Sequence, residues 1–259
     1  MKKIIALIMV VAMIASVAAL AGCGNSNTPA TEAPKPVLTM ATNASFPPYE
    51  MKEDGENVIG IDAEIAAAIA DKLGMTLEIV DIEFGAIIAG VQSGKYDMGM
   101  AGMTVTEERL ESVNFSTTYA TGVQVIIVPQ GSEIKSFDDI KAGEYKVGVQ
   151  LSTTGDIYAT DDLADSKSEV VEYETGNDAV AALASKKVDA VIIDNEPAKS
   201  YVAANDGLVI LDTDYVTEEY AICVAKENTE LLDKINAALK DLIADGTVKK
   251  IVDKYITAG

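Results

Sequence analysis

The sequence predicts an α/β fold built from two similar lobes, with a cleft between them. From residue 37 onward, short β-like runs alternate with helical segments, which is the pattern of successive βα units. Residues 85–102 (GAIIAGVQSGKYDMGMAG) also align with residues 177–194 (NDAVAALASKKVDAVIID), and both segments read as a helix, a polar turn and a strand. The chain of 259 residues is 49% hydrophobic and 24% charged, so it can bury a substantial core.

Residues 37–101 are predicted to form three strands and two helices. Residues 37–42 read as a strand, and residues 62–73 carry apolar side chains at helical spacing before Gly74. A strand over 75–82, a helix over 86–92 and a strand over 96–101 follow. Because ligands of such sheets lie beyond the carboxyl ends of the strands, the end of the last strand at Gly102 is a candidate site.

The second half repeats the alternation and then returns. Strands are predicted over 146–149 and 188–193, and helices over 177–184 and 196–204. A strand over 220–225 precedes a helix that begins at Thr229 and a short final helix through Tyr255. We expect this end of the chain to pack on the first lobe. The predicted domains are therefore 37–121 plus 219–259 for lobe 1, and 122–218 for lobe 2.

The amino terminus has the features of a secretory signal. A basic start at residues 1–3 and an apolar run over 4–19 precede Leu-Ala-Gly-Cys, which resembles the bacterial lipobox. This pattern predicts a signal peptide over 1–22 and lipidation of Cys23, and a transmembrane anchor is the alternative. Residues 23–36 are polar and rich in Pro and Thr, which predicts a flexible tether. Cys223, within an apolar run, is expected to be a buried unpaired thiol.

Composition excludes several classes of function. The chain contains no histidine, which removes Ser-His-Asp and Cys-His catalysis and histidine-containing metal sites. The formal net charge is −21, which argues against nucleic acid as a partner. No metal site and no cofactor are therefore expected.

Two charged residues lie where the predicted cleft begins. Arg109 is the only arginine among the 20 basic residues, and it follows Thr106 in a segment that reads as a helix N-cap. Its guanidinium matches a carboxylate bidentately, although a surface pair with Glu107 or Glu108 is the alternative. Asp194 ends an apolar strand and could bind an ammonium group or cap the next helix. A cation at one end and a carboxylate at the other predict a site for an α-amino acid.

Other candidate contacts are less specific. Phe46 lies in the turn-rich stretch SFPPY, and Phe84 opens the second helix. Both could sandwich a ligand side chain or belong to the core. The stretch 150–155 (QLSTTG) offers hydroxyl groups and helix-start amides, which suit a carboxylate.

Several motifs, in order and over nearly the whole chain, resemble one family. They are 41–50 (ATNASFPPYE), 60–65 (GIDAEI), 104–109 (TVTEER), 147–154 (VGVQLSTT), 188–194 (VDAVIID) and 244–255 (ADGTVKKIVDKY). Residues 38–256 are similar to the periplasmic-type binding proteins of ABC importers for polar amino acids, solute-binding protein family 3. The resemblance implies a two-lobe Venus-flytrap fold whose hinge lies in two crossing strands, near 120–125 and 215–222.

The resemblance also assigns ligand roles. Arg109 would clamp the α-carboxylate with the backbone amides of Thr104 and Thr154. The α-ammonium would be held by Asp194, the Thr104 hydroxyl and the Gly102 carbonyl. Phe46 and Phe84 would flank the side chain, and Asn43 and Gln150 would contact its polar end. The full set of ligand-binding residues implied is Asn43, Phe46, Phe84, Ala101, Gly102, Thr104, Arg109, Gln150, Thr153, Thr154 and Asp194.

The implied function is capture of a polar L-amino acid outside the cytoplasmic membrane. A monomer, lipid-anchored to the cell membrane, would deliver the free amino acid to an ABC importer permease. Family members selective for arginine or lysine often carry an acid where Asn43 stands, so a neutral side chain such as that of glutamine is expected, with a basic amino acid as the alternative. Ser152 replaces a common glycine, which leaves the backbone geometry near Thr153 open.

Two other classes of function are alternatives to a binding protein. A dehydratase-like enzyme on the same scaffold needs a general acid or base in the cleft, for which only Glu83 and Glu196 are candidates. A sensory module would need a kinase or channel domain. The sequence therefore predicts a binding protein rather than an enzyme.

Overall fold

The computed structural model describes residues 34–212 and 215–256. The predicted signal peptide over 1–22 and Cys23 lie outside the described residues, as does the predicted tether except for its last three positions. Within the described residues, no helix is long and apolar enough to cross a membrane.

The described chain contains strands and helices in mixed order. The strands are β1 (Val37–Thr42), β2 (Ser45–Phe46), β3 (Glu50–Glu53), β4 (Asn57–Ile59), β5 (Thr76–Asp81), β6 (Met98–Gly99), β7 (Val113–Phe115), β8 (Ala120–Pro129), β9 (Lys146–Gln150), β10 (Glu169–Tyr173), β11 (Ala190–Asp194), β12 (Leu208–Ile210), β13 (Val216–Tyr220) and β14 (Cys223–Ala225). The helices are α1 (Ile61–Leu73), α2 (Ile87–Gln92), α3 (Glu107–Ser112), α4 (Phe137–Ala142), α5 (Thr154–Leu163), α6 (Gly176–Ala184), α7 (Asn195–Ala204), α8 (Thr229–Ala244) and α9 (Thr247–Tyr255). A 3₁₀ turn, Phe84–Ala86, precedes α2.

The first lobe is built on a five-stranded sheet of order β5-β1-β6-β14-β7. Strand β1 pairs in parallel with β5 and β6. Strand β14, from the C-terminal part of the chain, pairs antiparallel with β6. The apolar stripe of α1, which includes Ile65 and Ile69, is fully buried with Leu38 and Met40 of β1 and Leu239 of α8. Burial of side chains of this size stabilises the lobe by about 1.5–3 kcal/mol each.

The second lobe is built on a sheet of order β10-β9-β11-β8-β12, with β13 also paired to β8. Its core contains Ile126, Val147, Leu163 and Ile192. Strand β8 leads from the first lobe into this sheet, and β13 leads back to β14. Strands β8 and β13 pair antiparallel from Gln124 opposite Val216 to Ala120 opposite Tyr220, so the two connections between the lobes lie side by side.

A small three-stranded sheet, β2-β3-β4, lies beside the first lobe. The backbone amides of Ile61 and Asp62 donate to the carbonyls of Pro48 and Tyr49, which fastens this sheet to the start of α1. Gly60 makes the junction possible, because its φ is +129° and a Cβ there would overlap the Tyr49 carbonyl. This junction packs the start of β3 against the first lobe.

The predicted two-lobe α/β fold is confirmed, and the differences are local. The strand predicted over 96–101 is reduced to Met98–Gly99. The strand predicted over 220–225 is two strands, because β13 belongs to the second sheet and β14 to the first. The predicted helix over 86–92 begins with a 3₁₀ turn at Phe84. The helix predicted from Thr229 runs to Ala244 as expected.

Candidate ligand-binding site

A cavity of about 320 Å³ lies between the two lobes, at the carboxyl ends of strands of both sheets. All eleven residues predicted from the sequence line it, together with Glu50: Asn43, Phe46, Glu50, Phe84, Ala101, Gly102, Thr104, Arg109, Gln150, Thr153, Thr154 and Asp194. The structure therefore brings the predicted set together.

Arg109 lies in the first turn of α3, where the Thr106 side chain caps the helix by accepting from the Arg109 amide. The residue is buried, and its guanidinium donates from Nη1 to the Thr104 carbonyl at 2.8 Å and from Nη2 to the Ser152 carbonyl at 3.1 Å. The second bond joins the two lobes. The alternative of a surface ion pair with Glu107 or Glu108 is wrong, because the guanidinium points into the cavity.

Asp194 ends β11 and is also buried. Its carboxylate accepts from the Tyr220 hydroxyl and, at 2.8 Å, from Gln124 Nε2. It occupies the N-cap position of α7 but makes no side-chain cap bond, so its carboxylate faces the cavity instead. Burial, and after it the charge of Glu218, raises the pKa of Asp194 to about 7. A cation beside this carboxylate would lower that pKa again.

Thr104 connects the two charged ends of the cavity. Its carbonyl accepts from Arg109, and its hydroxyl donates to Glu218 Oε2 at 3.0 Å. The Thr154 hydroxyl of the other lobe lies 3.5 Å from the Thr104 hydroxyl. This cluster of hydroxyl groups and backbone groups can receive both ends of a zwitterion.

The segment before α5 provides amides for an anion. The Thr153 side chain caps α5 by accepting from the Asp156 amide, and Thr153 and Thr154 at the start of this helix line the cavity. Ser152 has a φ of +66°, the left-handed conformation that favours glycine. The position at which the sequence lacks the common glycine therefore keeps the geometry that a glycine would have.

Aromatic and amide side chains form the remaining walls. The Phe84 ring lies 5.4 Å from Arg109 Cζ, and the Phe46 ring lies 5.8 Å from the Tyr49 ring. Gln150 Nε2 donates to Asn43 Oδ1 at 3.0 Å, which is a second bond between the lobes. Asn43 Nδ2 donates to the Ile82 carbonyl at 2.9 Å. Gln150 Nε2 also donates to the Glu174 carbonyl at 3.2 Å, and the Ser45 hydroxyl donates to Asn43 Oδ1 at 2.8 Å, so both amides are held in place beside the cavity.

Glu50 is the lining residue that the sequence reasoning missed. It is fully buried, and no donor among the described residues reaches either of its carboxyl oxygens or Asp62 Oδ1. The Asp62 carboxylate faces it and accepts on Oδ2 from the Gly102 amide and the Tyr119 hydroxyl, each at 2.8 Å. Burial, and after it Asp62, raises the pKa of Glu50 well above its usual range. The Glu50 carboxyl group therefore keeps its proton to a higher pH than an exposed glutamate does.

The two acids that the sequence offered for the enzyme alternative, Glu83 and Glu196, do not lie where a general acid or base would be needed. Glu83 is exposed and Glu196 pairs with Lys199, and neither lines the cavity. Glu50 was part of the motif over 41–50, yet its side chain was not singled out. Glu218 and Gln124, which reach the site from β13 and β8, were also missed, and the only signal for them was their place in the two predicted crossing strands.

The family model for bacterial extracellular solute-binding proteins, family 3, matches residues 38–258, and the chain belongs to this family. It is 35% identical to the arginine-binding extracellular protein ArtP of Bacillus subtilis (strain 168) over 243 residues, which cover 92% of this chain and 93% of that protein. The class is thus an extracellular amino-acid-binding protein of the kind that serves ABC importers.

Solved structures agree with this class. An ancestral arginine-binding protein is 40% identical and covers 86% of this chain and 99% of its own, with a TM-score of 0.82 when bound to arginine and 0.81 when bound to glutamine. The ancestral amino acid-binding protein AncCDT-1, a precursor of cyclohexadienyl dehydratase, is 33% identical with a TM-score of 0.79, over 85% of this chain and 95% of its own. These similar proteins are named for binding an amino acid.

Proposed function

We propose that this protein captures a free L-amino acid with a cationic side chain, arginine first of all, and delivers it to the permease of an ABC importer. The observation that carries the proposal is a cavity with three ionisable ends: Arg109 for a carboxylate, Asp194 for an ammonium, and Glu50 for a cationic side chain. The first two define an α-amino acid. The third selects among amino acids.

The α-carboxylate is assigned to Arg109. Two of its N–H groups are committed to carbonyls of the two lobes, and the others remain for a bidentate contact. The amides of Thr104 and Thr154 complete this end. The α-ammonium is assigned to Asp194, the Thr104 hydroxyl and the Gly102 carbonyl, because they form the acceptor-rich end of the cavity.

The side-chain end is assigned from Glu50. A buried carboxyl group without a donor is costly, and a ligand cation supplies the missing partner. The rings of Phe46 and Phe84 provide flat surfaces on which a guanidinium can stack. The relatives add support, since ArtP is named for arginine and the ancestral protein was solved with it.

Glutamine is the second candidate, and the Asn43–Gln150 amide pair favours it. Two side-chain amides at the polar end of the cavity can pair with a third amide by complementary hydrogen bonds. The same ancestral protein was also solved with glutamine. The predicted preference for a neutral side chain thus stays a prediction that competes with arginine.

Calorimetric titration of the refolded, ligand-free protein with the individual amino acids tests the proposal. We expect L-arginine to bind more tightly than L-glutamine. Glu50→Gln should weaken arginine binding by about tenfold or more, because a charge-assisted hydrogen bond contributes about 1.5–3 kcal/mol. Glutamine binding should be spared. Glu53→Gln, an exposed change on the same strand β3, is the matched control.

The outcomes separate the readings. Preference for glutamine that Glu50→Gln leaves unchanged would refute the cationic ligand and keep the amino-acid site. Absence of binding to any amino acid would refute the site itself. An enzyme would instead convert its substrate during the titration, which product analysis of the mixture detects.

The cellular role includes features that we infer from the sequence. We infer that Cys23 carries a lipid anchor after cleavage of residues 1–22, and that the protein works as a monomer. We also infer that the lobes 37–121 plus 219–259 and 122–218 close on the ligand about β8 and β13. Mass spectrometry of the membrane-extracted protein tests the anchor, and small-angle scattering with and without L-arginine tests closure.

A further inference from the structure

A second buried acid, Glu218, is not part of the cavity lining. It contacts Thr104, which lines the α-ammonium end of the cavity. It is only 4% exposed on β13, one of the two strands that join the lobes. Its Oε2 accepts from the Thr104 hydroxyl at 3.0 Å and from Gln124 Nε2 at 3.1 Å. The carboxylate therefore contacts the first lobe through Thr104 and the other crossing strand through Gln124.

The side-chain hydrogen-bond donors of Thr104 and Gln124 are all used by the acids of this cluster. A threonine hydroxyl has one hydrogen and two lone pairs, and a carboxylate only accepts, so the Thr104 hydrogen points at Glu218. A glutamine amide has two hydrogens, and Gln124 gives one to Glu218 and the other to Asp194 Oδ2 at 2.8 Å. With these hydrogens committed, the lone pairs of Thr104 and the charge of Asp194 face the cavity.

We propose that Glu218 is a positioning residue for recognition of the ligand α-ammonium. It holds the Thr104 hydroxyl as an acceptor and, through Gln124, fixes the orientation of Asp194. This inference rests on the proposed function, because it requires a ligand with an α-amino group. Without Glu218, the Thr104 hydroxyl is free to turn its hydrogen toward the ligand ammonium. No hydrogen bond forms in that orientation, because both groups are donors.

The charge of Glu218 also reaches Arg109 at the opposite end of the site. Burial lowers the pKa of Arg109, and the charge of Glu218 is the largest effect that opposes this lowering. An arginine side chain stays charged in a protein even when its pKa is lowered, so the carboxylate clamp does not depend on Glu218. Glu218 supports the acceptors for the ammonium from a crossing strand, at the point where the lobes join.

A double-mutant cycle on Glu218→Gln and Thr104→Val, titrated with L-arginine and L-glutamine, tests the proposal. For the amino acid that binds, each single variant should weaken binding by about tenfold, and the double variant should be no weaker than Thr104→Val alone. Glu219→Gln, the exposed neighbour on the same strand, should bind like the wild type. Additive losses would overturn the inference, since they indicate independent effects.

A ligand without the α-amino group gives a readout that general damage would not produce. Glu218→Gln should bind 5-guanidinopentanoic acid, or glutaramic acid if glutamine is the ligand, as the wild type does. Equal loss for this analogue and the amino acid overturns the inference. Should Glu218→Gln fail to fold, Glu218→Asp keeps the charge but shortens the reach, with the same expectation. Wild-type protein that binds neither amino acid overturns the proposed function itself.

Discussion

Replacing Arg109 by lysine isolates the geometry of the carboxylate clamp from its charge. The guanidinium is buried and already donates to carbonyls of both lobes at 2.8 and 3.1 Å, with N–H groups left for a ligand carboxylate. A lysine ammonium presents three donors from one point, so it cannot reach both carbonyls and grip a carboxylate bidentately. The variant keeps the positive charge and loses the planar set of donors that binds a carboxylate bidentately.

The magnitude follows from the bonds that are lost. One charge-assisted bond to the carboxylate contributes about 1.5–3 kcal/mol, and one bond to a backbone carbonyl about 0.5–1.5 kcal/mol. The expected total of about 2–4.5 kcal/mol corresponds to a weakening of about 30- to 2000-fold. Alanine at the same position should abolish detectable binding, because the charge is lost as well.

Isothermal titration calorimetry with L-arginine and L-glutamine measures this effect, and thermal unfolding checks that the fold survives. Glu108→Gln, an exposed change in the same helical turn, is the matched control and should bind like the wild type. Arg109→Lys that binds within about threefold of the wild type would refute the bidentate clamp. A variant that no longer melts cooperatively would show a structural role instead.

Three further predictions concern stability and access to the site. Burial raises the pKa of Glu50 well above its usual range and that of Asp194 to about 7, so the unliganded protein should lose stability as the pH rises through about 7, and Glu50→Gln should flatten this slope in thermal melts. Ser152→Gly should raise the free energy of unfolding in urea by about 1 kcal/mol, because it relieves a left-handed φ. Gly122→Ala should lower the melting temperature and ligand affinity, since its Cβ would overlap the Tyr220 hydroxyl and lie 2.6 Å from Asp194 Oδ1.

The charged ends of the site could be predicted because each follows from a local signal. Arg109 is the only arginine in the chain, and Asp194 directly follows the apolar run over residues 190–193, so both stand out without knowledge of the fold. The carboxyl ends of strands face the ligand in such sheets, which placed Gly102 and Asp194 at one cleft. The full set of eleven residues came from the resemblance to the family, and all eleven line the cavity.

The buried acids could not be predicted, because their burial is decided by contacts between distant segments. Glu218 stands in the polar run Thr-Glu-Glu, and only the pairing of β13 with β8 turns it inward while Glu219 stays exposed. A register shift of one residue would exchange the two. Glu50 is buried because the backbone hydrogen bonds from Ile61 and Asp62, next to Gly60, hold the start of β3 against the first lobe. Neither cause is visible in a window of sequence.

The balance of charge around the cavity gives a physical reason to expect a cationic ligand. An α-amino acid with a neutral side chain brings one ammonium and one carboxylate, which Asp194 and Arg109 match. It leaves the Glu50–Asp62 pair without a cation, so one of these two carboxyl groups must keep a proton when the site is filled. Asp62 accepts from two donors and is the better anion, which assigns the proton to Glu50. A guanidinium beside Glu50 allows both to ionise and supplies donors to oxygens that otherwise have none.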